Sequence, residues 1–335
     1  MIITQTPFRI SFFGGGTDYP EYYEEHGGAV LSTSFDKYCY VTVRHLPPFF
    51  DYSNQITYGI IERTNTIDEI QHPAVREAMK FMDMRELRVV YEADLPAKSG
   101  LGSSSSFAVG MLLAFYALKD KYVGKKRLAD EAIYLERVLC AEAGGIQDQI
   151  AVAFGGLNRI DFNANGYVVK PLILPKERKQ ALNKRLMLFF TGFSRLSADI
   201  AITQKQTIKD RSSYLKEMYD MVDEAEQILV NKSFDLSKFG KMLDRAWKVK
   251  RSLTDKISND HIDAIYERAM RAGALGGKIL GAGGGGFILF YVEEEKQADV
   301  KAALSDLLYV PFEFEEGGSR ILYYQHEDYE LKGEK

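Results

Sequence analysis

The stretch Leu95–Ser106, LPAKSGLGSSSS, constrains this chain most. Before it, Leu87–Asp94 (LRVVYEAD) is rich in β-formers and has the length of a strand. After it, Phe107, Met111, Leu112, Phe115 and Leu118 recur at helical spacing. A strand therefore enters a Gly/Ser loop that opens a helix. The first turn of a helix presents unpaired N–H groups and the positive end of the dipole, which favours an anion. Gly100 and Gly102 remove side chains where a phosphate must approach the backbone. The serine hydroxyls can donate to phosphate oxygens or ligate Mg²⁺. Taken alone, the stretch is equally consistent with an ordinary Ser-capped helix after a glycine turn, so its partners decide. No GxxxxGK(S/T) occurs anywhere, which excludes the common nucleotide loop.

Upstream, Ile2–Phe13 reads as a strand with Phe8, Ile10 and Phe12 on one face and Arg9 and Ser11 on the other. The loop GGGTDYP (14–20) follows, then strands at Val30–Ser34 and Tyr38–Arg44 and a short helix at His72–Met82. A second helix runs from about Lys126 to Ala143 on an apolar face of Leu128, Ala132, Leu135, Leu139 and Ala143. Glu136 falls at the margin of that stripe, where an unpartnered carboxylate would be costly to bury. Gly144-Gly145 ends the helix. Ile146–Phe154 then reads as a short helical segment with Asp148 near its start, a position that suits a carboxylate.

The polar segment Pro175–Lys184 marks a boundary between two domains, residues 1–180 and 181–335. Beyond it come a strand at Arg185–Thr191 and helices from Ser197 to about Ala272. KILGAGGGG (278–286) leads into a strand at Phe287–Val292, a helix at Glu295–Leu307 and a closing hairpin, Phe312–Gln325, around Gly317-Gly318. Gly281–Gly286 satisfies GxGxxG literally, but a dinucleotide site needs a strand before that motif and a helix after it. Here a strand follows, so the loop is read as backbone that closes over a phosphate or substrate.

The 335 residues suffice for two domains with substantial cores. A formal charge of −4 argues against generic attraction to nucleic acid or anionic membranes, while a small anionic ligand needs only a local basic pocket. Cys39 and Cys140 lie in apolar runs, as free thiols of a reducing compartment would, and no Cys/His cluster suggests zinc. The opening MIITQTPFRISFF lacks a charged n-region and a cleavage site, and no apolar run approaches the ~20 residues of a membrane helix. A cytoplasmic protein with no nucleic-acid or membrane partner is expected.

PFRISFFGGGTDYP, LPAKSGLGSSSS and KILGAGGGGF together resemble the three motifs of the GHMP kinases, in order and spacing over nearly the whole chain. The resemblance implies an α+β fold of two lobes, an N-terminal α+β lobe and a ferredoxin-like C-terminal lobe, with ATP and acceptor in the cleft between them. By the same resemblance the ATP-phosphate loop comprises Pro96, Lys98, Gly100, Leu101, Gly102, Ser103, Ser104 and Ser105. The Mg²⁺-binding serine is Ser104, or Ser103 one step of register away. The family's magnesium glutamate stands twelve residues before its catalytic aspartate, a spacing that here joins Glu136 to Asp148. Arg9 aligns with the basic residue of the first motif. Asp148 is expected to orient the acceptor hydroxyl and take its proton, while Arg9 and Mg²⁺ offset the charge on the transferred group.

One departure is informative. Galactokinases carry a Glu-His pair before Thr-Asp-Tyr, and this chain has Gly15-Gly16 there, which argues against galactose. RISFFGGGTDYP, HGGAVLSTSFDKY and GIQDQ are most similar to the heptose phosphate kinase branch, with the fucokinases as neighbours. Asp18, Gly15, Gly16, Gly283 and Gly284 are then the candidate substrate contacts, and Lys37, Arg44, Lys98 and Arg195 candidates for the phosphate the sugar already carries. The expected activity is phosphorylation of D-glycero-D-manno-heptose 7-phosphate at its anomeric hydroxyl by a monomer or homodimer. The alternatives are an L-fucose or other hexose kinase, a non-catalytic sugar- and nucleotide-sensing regulator and, less favoured, a decarboxylase of the diphosphomevalonate type.

Overall fold

In the computed structural model, which describes residues 1–97, 99–192, 211–254 and 256–326, the chain opens with strand β1 (Ile2–Phe13), helix α1 (Pro20–His26) and strand β2 (Gly28–His45). β3 (Asn54–Thr57), β4 (Ile61–Thr64), α2 (Pro73–Phe81) and β5 (Leu87–Ala93) follow. Next come α3 (Ser103–Leu118), α4 (Lys125–Tyr134) with a π-helical turn at Leu135–Leu139, and α5 (Gln147–Phe154). β6 (Leu157–Asn163), β7 (Gly166–Pro171), α6 (Lys176–Lys184) and β8 (Leu186–Phe190) lead into α7 (Ser212–Val230), α8 (Ser237–Arg251) and α9 (Asp260–Arg271). The chain finishes with β9 (Gly276–Ile279), β10 (Phe287–Tyr291), a 3₁₀ turn at Glu294–Lys296, α10 (Gln297–Ala303), β11 (Leu308–Val310), β12 (Phe314–Glu315) and β13 (Arg320–Tyr324).

β2 is the hinge of the first sheet. Its first half pairs with β6, its second half with β5, and β1 runs antiparallel along both. The two strands expected at Val30–Ser34 and Tyr38–Arg44 are therefore one. The register jumps from Phe8 opposite Phe35 to Pro7 opposite Tyr38, so Asp36 and Lys37 bulge without ending the strand. β1 is covered on both faces: Phe8, Ile10 and Phe12 enter the core, and Arg9 and Ser11 on the opposite face are buried too. α3 packs on β1 and β2 and is buried nearly all round, as an apolar helix without a polar face must be.

The second sheet has the order β11-β8-β10-β9, all antiparallel. With helices between β8 and β9 and between β10 and β11, this is the βαββαβ arrangement of a ferredoxin-like lobe. Trp247, Tyr266, Phe189 and Phe290 fill its core. The protein is thus α+β with two sheets, as expected. Among the described residues no helix is long and apolar enough to cross a membrane. Cys39 is buried, Cys140 half-buried, and both are free thiols.

The polar segment that marks the expected domain boundary forms helix α6. Three local readings are corrected. The helix expected over Lys126–Ala143 is regular only to Tyr134; the π turn and an irregular strap replace its second half. The helix expected at Glu295–Leu307 is the 3₁₀ turn plus α10, ending at Ala303. The closing hairpin does not form: β12 pairs with β2 and β13 with β1, so the two strands return separately to the first sheet. The helix start expected at Ser197 lies outside the described residues.

Candidate active site

One cleft lies between the sheets, lined by residues of β1, the 14–19 loop, the start of α3, the 136–148 region, α8 and the 278–282 segment. At its first end α3 begins after Gly102, whose φ is +77°, and no N-cap side chain closes the helix, so its positive end faces the cleft. The Ser104 hydroxyl donates to Glu136 Oε1 at 2.5 Å and the Ser105 hydroxyl to Glu136 Oε2 at 2.8 Å, while Gln149 Nε2 donates to Oε2 as well. Glu136 is 1% exposed, and among the described residues it has no cation partner. π turns are rare and cluster at functional sites; this one carries Glu136 inward from the helix margin. A carboxylate with serine hydroxyls around it, all oxygen donors, suits a hard divalent cation such as Mg²⁺.

Arg9 comes next along the cleft. Its Nε and Nη2 donate to Asp148 Oδ1 and Oδ2, each at 2.8 Å, and its Nη1 donates to the Gly100 carbonyl at 2.7 Å. This fork-on-carboxylate geometry fixes both side chains and ties them to the Gly/Ser loop. Asp148 sits in the first turn of α5 and opens to the cleft. Arg137 holds the strap before α5, donating to the carbonyls of Ala143 (2.8 Å) and Gly145 (2.7 Å). Asp18 lies beneath, accepting from the backbone N–H of Gly16 (2.9 Å) and Gln147 (3.2 Å). Burial pushes its carboxyl above the usual range, and the Asp148 charge adds to that push. Any side chain at position 145 would overlap the Asp18 carboxylate. The GGGTD loop and the start of α5 are therefore one unit.

The other expected contacts divide. Gly15, Gly16, Gly100, Gly102, Ser103, Ser104 and Ser105 line the cleft. Leu101 points into the core and contributes backbone, its carbonyl accepting from Arg9 N–H at 3.1 Å. Pro96 is exposed and stands off the cleft wall. Gly283 and Gly284 do not line the cleft; Gly281 and Ala282 do, because the loop turns away to rest on Ile257, whose carbonyl accepts from Gly284 N–H at 2.9 Å. Lys37 pairs with Asp36 at 2.8 Å, and Arg44 lies on β2 where that strand pairs with β5; neither reaches the cleft. Lys98 and Arg195 lie outside the described residues. Among the cleft residues to which the sequence reading gave no role are Arg137, Gln147, Lys250 of α8 and Lys278 of β9. In the sequence both lysines look like ordinary solvated ones; in the fold Lys250 is buried against the Ile279 and Gly281 carbonyls and Lys278 against those of Ser11 and Phe12.

Residues 67–156 match the family described as GHMP kinases N terminal domain, and residues 214–310 match GHMP kinases C terminal. The D-glycero-alpha-D-manno-heptose 7-phosphate kinase of Campylobacter jejuni is 30% identical over 319 residues, spanning 90% of this chain and 93% of that protein. The bifunctional fucokinase/GDP-fucose pyrophosphorylase of Arabidopsis thaliana is 24% identical over 88% of this chain, which spans 30% of that longer protein. Among solved structures, a D-glycero-D-manno-heptose 1-phosphate kinase from Bacteroides thetaiotaomicron superimposes with a TM-score of 0.72 at 23% identity, covering 97% of this chain and 100% of that one.

Proposed function

The chain belongs to the GHMP kinase family, and from that premise we propose that it transfers the γ-phosphoryl group of ATP to the anomeric hydroxyl of D-glycero-D-manno-heptose 7-phosphate. The Arg9–Asp148 fork, set between the open end of α3 and the Asp18 loop, is the observation that carries a kinase reading. The substrate choice is supported by the 30% identical Campylobacter jejuni heptose 7-phosphate kinase.

Phosphoryl transfer proceeds through a loose transition state, so orientation and charge neutralisation carry the catalysis. Asp148, fixed by Arg9, orients the acceptor hydroxyl and takes its proton late. An anomeric hydroxyl is more acidic than an ordinary alcohol and asks little of the base. Arg9 offsets charge on the transferred group, and Asp18 retains lone pairs for a sugar hydroxyl. Ser104 and Glu136 would hold Mg²⁺, which when bound neutralises the ATP phosphates. The Gly100–Ser105 backbone and the α3 N-terminus receive those phosphates. An intact Arg9, Glu136 and Asp148 set disfavours the sensing regulator.

A substrate panel with coupled ADP detection tests the reading. Heptose 7-phosphate should exceed galactose, fucose and mannose by at least about 10²-fold in kcat/KM. Rapid turnover of an unphosphorylated hexose would instead favour the hexose-kinase alternative, which the fucokinase match supports.

A further inference from the structure

Lys250 and Lys278 are 7% and 5% exposed, and both line the cleft. Lys278 Nζ donates to the carbonyls of Ser11 (3.0 Å) and Phe12 (2.8 Å), and Lys250 Nζ to those of Ile279 and Gly281. An ammonium carries three N–H donors, so each keeps one beyond its two carbonyls. Neither pairs with a carboxylate among the described residues: Asp148 is held by Arg9, and Asp18 by two backbone N–H groups. The Ser11 hydroxyl lines the same wall, is buried, and has no hydrogen-bond partner. Burial, with the Arg9 charge, pulls Lys250 down to about 7, and burial with Lys250 and Arg9 pulls Lys278 well below the lysine range. Two buried amines that burial drives towards the neutral form, and an orphaned hydroxyl, are left incomplete until an anion restores their charge and accepts their donors.

We propose that Lys250, Lys278 and the Ser11 hydroxyl seat the phosphate that the acceptor sugar already carries. The ATP phosphates have their own seat at α3, level with Arg9, whose N–H meets the Leu101 carbonyl. Lys278 stands further along β1, at Ser11 and Phe12, just before the loop that holds Asp18. An anion there belongs to the sugar side of the cleft. A phosphate dianion supplies the missing charge and accepts the spare N–H and O–H donors. The candidates Lys37 and Arg44 are thereby replaced.

The inference rests on the heptose phosphate reading, and one experiment separates the two. kcat/KM is measured for D-glycero-D-manno-heptose 7-phosphate and for the unphosphorylated heptose, in the wild type, Lys250→Met, Lys278→Met and Ser11→Ala. Methionine nearly keeps the volume and removes the charge. Each lysine variant should lower the preference for the phosphorylated sugar by roughly 10- to 100-fold, chiefly through KM. Ser11→Ala, which removes one oxygen, should lower it by about fivefold and carries the test if a lysine variant melts at assay temperature. If the wild type prefers heptose 7-phosphate and the variants keep that preference, the seat is wrong and the substrate reading stands. Equal losses of kcat on both sugars would assign the lysines to the transferred group and also overturn the seat. A wild type that prefers an unphosphorylated sugar overturns both.

Discussion

Arg9 meets Asp148 with two donors and the Gly100 carbonyl with a third, so the proposed base, its orienting cation and the phosphate loop are tied together. Asp148→Asn keeps the volume but removes the charge that faces Arg9 and the hydroxyl. kcat should fall by roughly 10²-fold or more, the scale of lost general-base catalysis, with the KM for ATP little changed; an unaltered kcat would refute the role. Lys250 gives a pH signature. Its pKa is about 7 in the folded chain, so between pH 7 and the ordinary lysine range the unfolded chain binds the extra proton, and Lys250 makes stability rise with pH. The groups that bear on it are the Arg9 guanidinium, the Lys278 amine and the Ile279 and Gly281 carbonyls. A seated phosphate raises its pKa, so binding heptose 7-phosphate at pH 8 should take up protons. Calorimetry in buffers of different ionisation enthalpy reads that uptake, which Lys250→Met should reduce; a binding enthalpy independent of buffer would contradict it. That Arg9, Glu136 and Asp148 share one cleft was legible from the family resemblance. Lys250 and Lys278 were not, because nothing local marks a lysine whose partners are carbonyls in distant segments, such as Ser11 and Phe12 beneath Lys278.

At the scale of elements, two glycine loops from opposite halves of the chain touch. Gly100, at φ +84°, lies against Leu280 and Gly281, and a Cβ there would overlap the Leu280 carbonyl. The backbone penalty alone for an alanine is roughly 1–2 kcal/mol. Gly100→Ala should therefore push the loops apart and raise the KM for ATP by about tenfold, with the melting temperature lowered by a few degrees. A variant with wild-type ATP kinetics would show that the contact is mere packing. The π turn at Leu135–Leu139 makes a second test. Glu136→Gln keeps the turn but weakens the cation ligand, and the Mg²⁺ concentration for half-maximal rate should rise; overlaying titrations would leave Glu136 a structural residue. Helical periodicity carried the sequence reading straight through this turn, since Leu135 and Leu139 keep the apolar stripe while the backbone inserts an extra residue. The C-terminal hairpin was misread for a related reason. Two short strands around Gly317-Gly318 satisfy a local pattern, but pairing with β1 and β2 offers each a longer, buried partner.

For the molecule as a whole, β12 and β13 carry the chain back to the first sheet after the ferredoxin-like sheet is complete. Both lobes are thus tied by chain entering and leaving, and Lys278 adds a direct link from β9 to the β1 carbonyls. Phosphate loop, Arg9–Asp148 fork, Asp18 loop and the two lysines all line one cleft, and the proposed transfer sets them in the order of donor, transferred group and anionic sugar. Phosphorus NMR of the product formed from ATP and D-glycero-D-manno-heptose 7-phosphate tests this ordering most directly. A second phosphate resonance coupled to H1, beside the retained 7-phosphate, is the expected result; a new phosphate on any other carbon, or no transfer to this sugar while a free hexose is phosphorylated, would contradict it.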